Sequence, residues 1–120
     1  MKEVNQKLSP TNILQITNTL RLIGLKSSHK GTKLINKAIQ YIILNDIEFF
    51  TMEEICSYLH HLYNFNELTI KSNITNAIAN RVKKVSESNF KRVFHYDYDI
   101  STFEPKTFIE EIVRIINIES

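Results

Sequence analysis

The sequence predicts an all-α protein, a compact bundle of about five to six helices that contains a helix-turn-helix. Three observations predict it. Only two Gly and two Pro occur in 120 residues, too little punctuation for the many tight turns of a β fold. Apolar residues recur at three- and four-residue intervals instead of alternating. Capping signals stand directly before several of these runs. A chain of this length buries roughly two-thirds of its unfolded surface, which suits one domain over residues 1–120. Residues 1–9 are expected to form a flexible N-terminal arm.

Ser9 can cap a first helix with Pro10 at its opening position, and Gly24 can supply the left-handed stop. Between them Ile13, Ile16, Leu20 and Ile23 share a stripe, so helix one covers residues 10–23. After an expected loop, "KSSHKG", the run Leu34, Ile35, Ala38, Ile39, Ile42 and Ile43 is apolar over a broad arc. That breadth belongs to a helix in the middle of a bundle, ended by Asn45 and Asp46.

In "FFTMEEI", Thr51 and Glu54 have capping-box spacing and Phe50 with Ile55 the spacing of a hydrophobic staple. Helix three starts there and runs through Leu59 and Leu62. The stretch "YNFNEL" interrupts, Thr69 can cap, and Ile70, Ile74, Ala77, Ile78, Val82 and Val85 form the stripe of helix four. Two helices joined by a short turn, the second with a polar outer face, give the outline of a helix-turn-helix. Any helix pair in a bundle shares that outline. Further on, "SNFKRVFHY" holds a short helical turn and "YDYDISTFEP" a loop; Thr107 and Glu110 repeat the capping-box spacing before a last helix.

The net charge is +2, yet it is unevenly divided: residues 1–44 carry +6, 45–68 carry −5, 69–95 carry +5 and the tail −4. Such division suits a basic surface for phosphates with an acidic surface turned elsewhere, although solvated helix faces can cluster by sign as well. Cys56, the single cysteine, excludes an intramolecular disulfide and a thiolate zinc cluster. No apolar run reaches the length of a membrane span or signal peptide, so a cytoplasmic protein without a membrane partner is expected.

Cys56 and His60 are four apart, as metal ligands on a helix can be, but a site needs three or four ligands and no metal is expected. His95 beside Asp97 and Asp99 suggests acid–base chemistry, against which the aromatic residues around it read as core. Lacking a nucleophile motif, a phosphate loop or paired carboxylates, the chain is expected to be neither an enzyme nor a cofactor binder.

On helix four, Asn73, Asn76 and Asn80 lie at three- and four-residue spacing and share a face with Thr69, Ser72 and Lys83. Asn pairs bidentately with adenine N6 and N7, so such a face could read an A·T-rich duplex. It is equally the ordinary polar side of a solvated helix. Lys71, Arg81, Lys83, Lys84, Lys91 and Arg92, with Lys30 and Lys33 at the start of helix two, could neutralise phosphates. Glu53 and Glu54 would repel a backbone, but their capping and dipole roles explain them.

Several stretches resemble the C-terminal DNA-binding domain of the stage zero sporulation protein A family, response regulators that start endospore formation. "LIGLKSSHKGTKLINKAIQYIILNDIE" is similar to the family's "IGVPAHIKGYQYLREAI" and "YNDIE", and "FNELTIKSNITNAI" to its "FNTTASRVERAI". "VFHYDYDISTFEPKTFIEEI" matches more loosely, and the whole covers about Ile13 to Ile118. The most specific elements are His29, Lys30, Gly31, Asn45, Asp46, Ile47 and Glu48. The resemblance implies a helical domain, with helix three supporting and helix four inserted in the major groove of short, often tandem, DNA boxes. Full-length members carry a phosphorylatable receiver first, and this sequence is expected to act without one.

The departures fall where bases would be read. Aligning "NAI" on the family's "RAI" puts Thr75 and Asn76 in place of a Glu and an Arg, and Ala79 and Asn80 in place of an Arg and a His. An Arg taking guanine O6 and N7 gives about 1–3 kcal/mol of discrimination that Ala cannot supply. The expectation is a small DNA-binding transcriptional regulator with altered or weakened sequence preference. Ser72, Asn73, Thr75, Asn76 and Asn80 would face bases, and Lys30, Lys33, Lys71, Lys83 and Lys84 phosphates. The rival expectation keeps the fold but not DNA, as a module that associates with itself or engages and antagonises a full-length regulator.

Overall fold

The computed structural model describes residues 9–119. Among them it contains six α-helices, two short 3-10 turns and no strand. The helices are α1 (Pro10–Leu22), α2 (Lys30–Leu44), α3 (Met52–Tyr63), α4 (Glu67–Asn80), α5 (Glu87–Phe94) and α6 (Pro105–Glu119). The 3-10 turns cover Val82–Lys84 and Ile100–Phe103. The expected N-terminal arm lies outside the described residues except for Ser9, whose hydroxyl accepts the Asn12 N–H and caps α1.

Helix α2 packs against α1, α3, α4 and α6. Its buried residues Leu34, Ile35, Ala38, Ile39 and Ile42 explain the broad apolar arc of its sequence, because it has neighbours on several sides. The core joins these to Ile16 and Leu20, Ile55 and Leu59, Ile70, Ile74 and Ile78, and Phe108, Ile109 and Ile112. Phe90 lies within 6 Å, centroid to centroid, of Phe94, Tyr96, Tyr98 and Phe103, so the aromatic segment does close the core. Two expected stripe members sit at its edge: Ile13, a turn before the first buried residue of α1, and Leu62, in the last turn of α3, are 40% and 47% exposed.

The capping box at α3 forms as spaced: Thr51 Oγ1 accepts the Glu54 N–H while the Glu54 carboxylate accepts the Thr51 N–H. Phe50 and Ile55, the staple pair, are both buried. Elsewhere the boundaries differ from expectation for identifiable reasons. Helix α2 begins at Lys30, and so runs through Gly31, a residue read as loop. Helix α4 begins two residues before Thr69, because the Asn66 side chain accepts from both Leu68 and Thr69 N–H groups. It also ends early: Arg81 leaves the helical conformation, and its carbonyl accepts from Lys84 in a 3-10 turn that keeps Val82 buried. Helix α6 is capped by Glu104, whose carboxylate accepts from the Thr107 N–H and hydroxyl, and Pro105 opens it; Glu110 pairs with Lys106 instead. "SNFKRVF" is a full helix, α5, capped by Ser86.

Candidate nucleic-acid interface

Helix α3 stops at Asn64, which takes the left-handed conformation (φ 59°) and returns its N–H to the His60 carbonyl at 2.7 Å. Asn66 then caps α4, so three residues, 64–66, connect the two helices. One Asn ends a helix and another starts the next, which makes the connection short and fixes where α4 leaves α3. Burial of Ile70, Ile74 and Ile78 holds one side of α4 to the core. The opposite side exposes Leu68, Lys71, Ser72, Thr75, Asn76, Ala79 and Asn80.

Beside that exposed side runs a groove of about 220 Å³ between the start of α2 and the later half of α4. His29, Lys30 and Gly31 line one wall; Asn73, Asn76, Ala77, Asn80 and Arg81 line the other, and no carboxylate is among them. Gly31 makes the close approach possible, since a Cβ there would lie 2.7 Å from both the Asn73 carbonyl oxygen and the Ala77 Cβ. The first turn of α2 has no acidic residue, and His29 at its cap position gives no side-chain hydrogen bond. Its open N–H groups therefore add partial positive charge to that wall. His29 Nδ1 is buried without a hydrogen-bond partner among the described residues. Lys30 lies with its ammonium 4.2 Å from the Phe65 ring centroid, which ties α2 to the α3–α4 connection.

The residues expected to face bases do not all end in equivalent positions. Ser72, Thr75, Asn76 and Asn80 are exposed. Asn73 is half-buried beside Gly31, and its amide donates to the Thr69 carbonyl at 2.8 Å, so it lies along the helix. Of the residues expected at phosphates, Lys30 joins Asn76 and Asn80 in the groove. Lys83 and Lys84 are exposed, but on the 3-10 turn past the end of α4, so Lys83 is not on the helix face with the Asn residues. Lys33 faces a different cleft on α2. Lys71 shares a cleft of about 180 Å³ with Met52, Glu53, Cys56, Glu67 and Leu68, where two carboxylates compete for its charge. His29 and Arg81 complete the groove; His29 was legible only through the resemblance, and Arg81 only as a cation, since its place depends on how α4 ends.

The Phe65 carbonyl can only accept, so His60 Nδ1 must carry the proton of their 2.6 Å hydrogen bond. Burial, then the nearby Glu67 carboxylate, pushes the Cys56 thiol up from its ordinary value, which disfavours the thiolate a metal needs. Among the described residues no group of three His, Cys, Asp or Glu is placed to hold a metal ion. His95 is exposed and ends α5 in the left-handed conformation (φ 66°), and Asp97 pairs with Lys91 at 3.2 Å. The Asp99 carboxylate accepts from the Ser101 hydroxyl and N–H, which holds its pKa below the ordinary value.

These observations define a small all-helical protein in which no helix is long and apolar enough to cross a membrane among the described residues. Compared with known proteins, the chain gives no significant match to a family model, a curated protein or a solved structure.

Proposed function

We propose that this chain is a small DNA-binding regulator of transcription, with α3 and α4 acting as a helix-turn-helix and with altered or weakened sequence preference. The observation that carries the reading is the carboxylate-free groove, where Asn76, Asn80 and the cation Arg81 on one wall face the uncapped first turn of α2 with its cation Lys30 on the other. Phosphates are drawn to such a wall, while neighbouring amides can meet base edges. The three-residue connection and the exposed side of α4 fit an element entering a major groove. Resemblance to the sporulation-regulator effector domain points the same way. With Thr75, Asn76, Ala79 and Asn80 where that family reads bases, preference shifts toward A·T pairs. A mobility-shift series over salt tests the reading: retention of duplex that weakens linearly in log salt is expected, and no retention at low salt overturns it.

A second reading, a protein-interaction module without DNA binding, is favoured by one separate feature. Asp46, Glu48, Glu110 and Glu111 rim a groove of about 620 Å³ floored by Ile42, Ile47, Phe50 and Val113. Next to Phe50, Phe49 is 84% exposed. Arg114 and Asn117 line the groove too, and Glu111 pairs with Arg114 and Glu110 with Lys106, so the unpaired acidic charge among the described residues there is that of Asp46 and Glu48. With the apolar floor it suits a basic, partly apolar protein surface, as on a full-length regulator or a second copy. Capture of such a partner by a chain that retains no duplex would favour this reading.

A further inference from the structure

On the solvent side of α2, away from α4, lies an open cleft of about 220 Å³, room for roughly seven waters at the volume each takes in the liquid. Ser27, Thr32, Lys33, Asn36, Lys37, Gln40 and Tyr63 line it. Thr32 is 2% exposed, and its hydroxyl oxygen is buried without a hydrogen-bond partner among the described residues. A buried hydroxyl left unmade costs free energy, so a group that completes it is favoured there. The two amides are already committed: Asn36 donates to the Thr17 hydroxyl at 3.3 Å, and Gln40 donates to the Asn36 carbonyl oxygen at 2.7 Å. What the cleft has left is mostly hydrogen-bond donors, namely the Ser27 and Thr32 hydroxyls, the Tyr63 phenol and two ammonium groups. No carboxylate lines it, and neither Lys33 nor Lys37 belongs to an ion pair among the described residues. Burial raises the Tyr63 pKa, so its phenol keeps its proton and can donate at neutral pH.

We infer that this cleft is a phosphate site, in which Lys33 and Lys37 neutralise a phosphoryl group whose oxygens accept from the Thr32 and Ser27 hydroxyls. The cations draw the anion in, and the hydroxyls fix its place. The chemistry suits a free phosphate or a phosphate of a nucleic-acid backbone. The site does not depend on α4 reading DNA, since none of its residues lies on that helix.

The test follows amide chemical shifts of the isotope-labelled full chain during titration with inorganic phosphate, with chloride at equal ionic strength as the reference. Saturable shifts at Thr32 and Lys37 are expected at millimolar phosphate. In Lys37→Gln the affinity should fall roughly tenfold, as for the loss of one charge-assisted hydrogen bond. Thr32→Val should weaken binding as well, and Lys106→Gln, on α6 and outside both the cleft and the α4 groove, should leave it unchanged. Absence of saturable shifts, or shifts that Lys33→Gln and Lys37→Gln leave intact, overturns the inference; Lys33 is exposed, Lys37 is half-buried, and neither belongs to the hydrophobic core, so both variants are expected to fold. A duplex arm identifies the source. If backbone phosphate is the ligand, Lys37→Gln lowers the salt slope of retention by about 1. If a free phosphate is the ligand, retention is untouched while the phosphate shifts are lost.

Discussion

Gly31 of α2 and Asn73 of α4 meet so closely that a Cβ on the glycine would lie 2.7 Å from the asparagine's carbonyl oxygen. This contact sets the width of the groove that Lys30, Asn76, Asn80 and Arg81 share. Gly31→Ala should gain about 1 kcal/mol of helix propensity. It should lose more to overpacking, about 1–3 kcal/mol, because backbone cannot rotate out of the way. The denaturant midpoint should drop with the slope unchanged, and duplex retention should weaken at temperatures where the variant remains folded. A variant as stable as wild type would contradict the close packing of these helices.

Phe90→Ala should be far more damaging. The ring is fully buried and contacts four other aromatic rings drawn from α5, the following loop and the 3-10 turn before α6. Loss of about 3–5 kcal/mol is expected, with collapse of near-ultraviolet circular dichroism, since that cluster orders most of the nearby tyrosines. Phe49→Ser, at a position 84% exposed, should move stability by no more than about 0.5 kcal/mol. Equal effects from the two changes would mean that the aromatic cluster is misplaced.

Alkaline pH should destabilise the fold. Burial raises the pKa of Cys56 and of Tyr58, Tyr63 and Tyr96 above their ordinary values of 9.0 and 10.0. Below those values both folded and unfolded chains hold the protons, and the contribution is complete. Above them the unfolded chain releases protons first, so stability falls as pH climbs toward the folded values. Urea midpoints should decline on the alkaline side, and the ultraviolet tyrosinate transition should lag behind that of the denatured chain. Coincident tyrosinate titrations in the folded and denatured chains would refute the shift.

The sequence made the helix count, the buried stripes and the Thr51–Glu54 box legible because these depend on local spacing. Its failures share a cause in tertiary contact. Gly31 looks like loop punctuation, yet it is helical because α4 needs the space a side chain would fill. Val82 continues the stripe of α4 in register, yet it is reached through a 3-10 turn, since burial constrains the side chain and leaves the backbone path free. Thr69 and Thr107 have the right residue type for caps, but Asn66 and Glu104 stand three residues earlier and accept the N–H groups of Thr69 and Thr107 themselves, so each helix has already begun there. On the candidate interface, the exposed residues Thr75, Asn76 and Asn80 follow from helical phase alone. The sideways tie of Asn73 to Thr69 does not. Nor does the union of His29 with Arg81, which needs two segments far apart in sequence to be brought together.

Substitutions on and beyond α4 should separate reading from holding. Asn76 is exposed at the groove and its amide has no hydrogen bond among the described residues, so it can meet a base edge. Asn76→Ala should reduce discrimination between an A·T-rich and a mixed duplex by about 1–3 kcal/mol while the salt slope stays nearly constant. Lys83 and Lys84, exposed on the turn after α4, carry charge without a place on its reading side. Changing both to Gln should weaken binding to every duplex alike and lower the salt slope by about 2. Replacement with Glu should go further, because two repelling charges are added where two attracting ones stood. Paired titrations of the two duplexes at several salt concentrations check all three variants. If Asn76→Ala weakens both duplexes equally and the lysine changes alter preference, α4 does not present its amides to bases, and the phosphate contacts lie on a different surface.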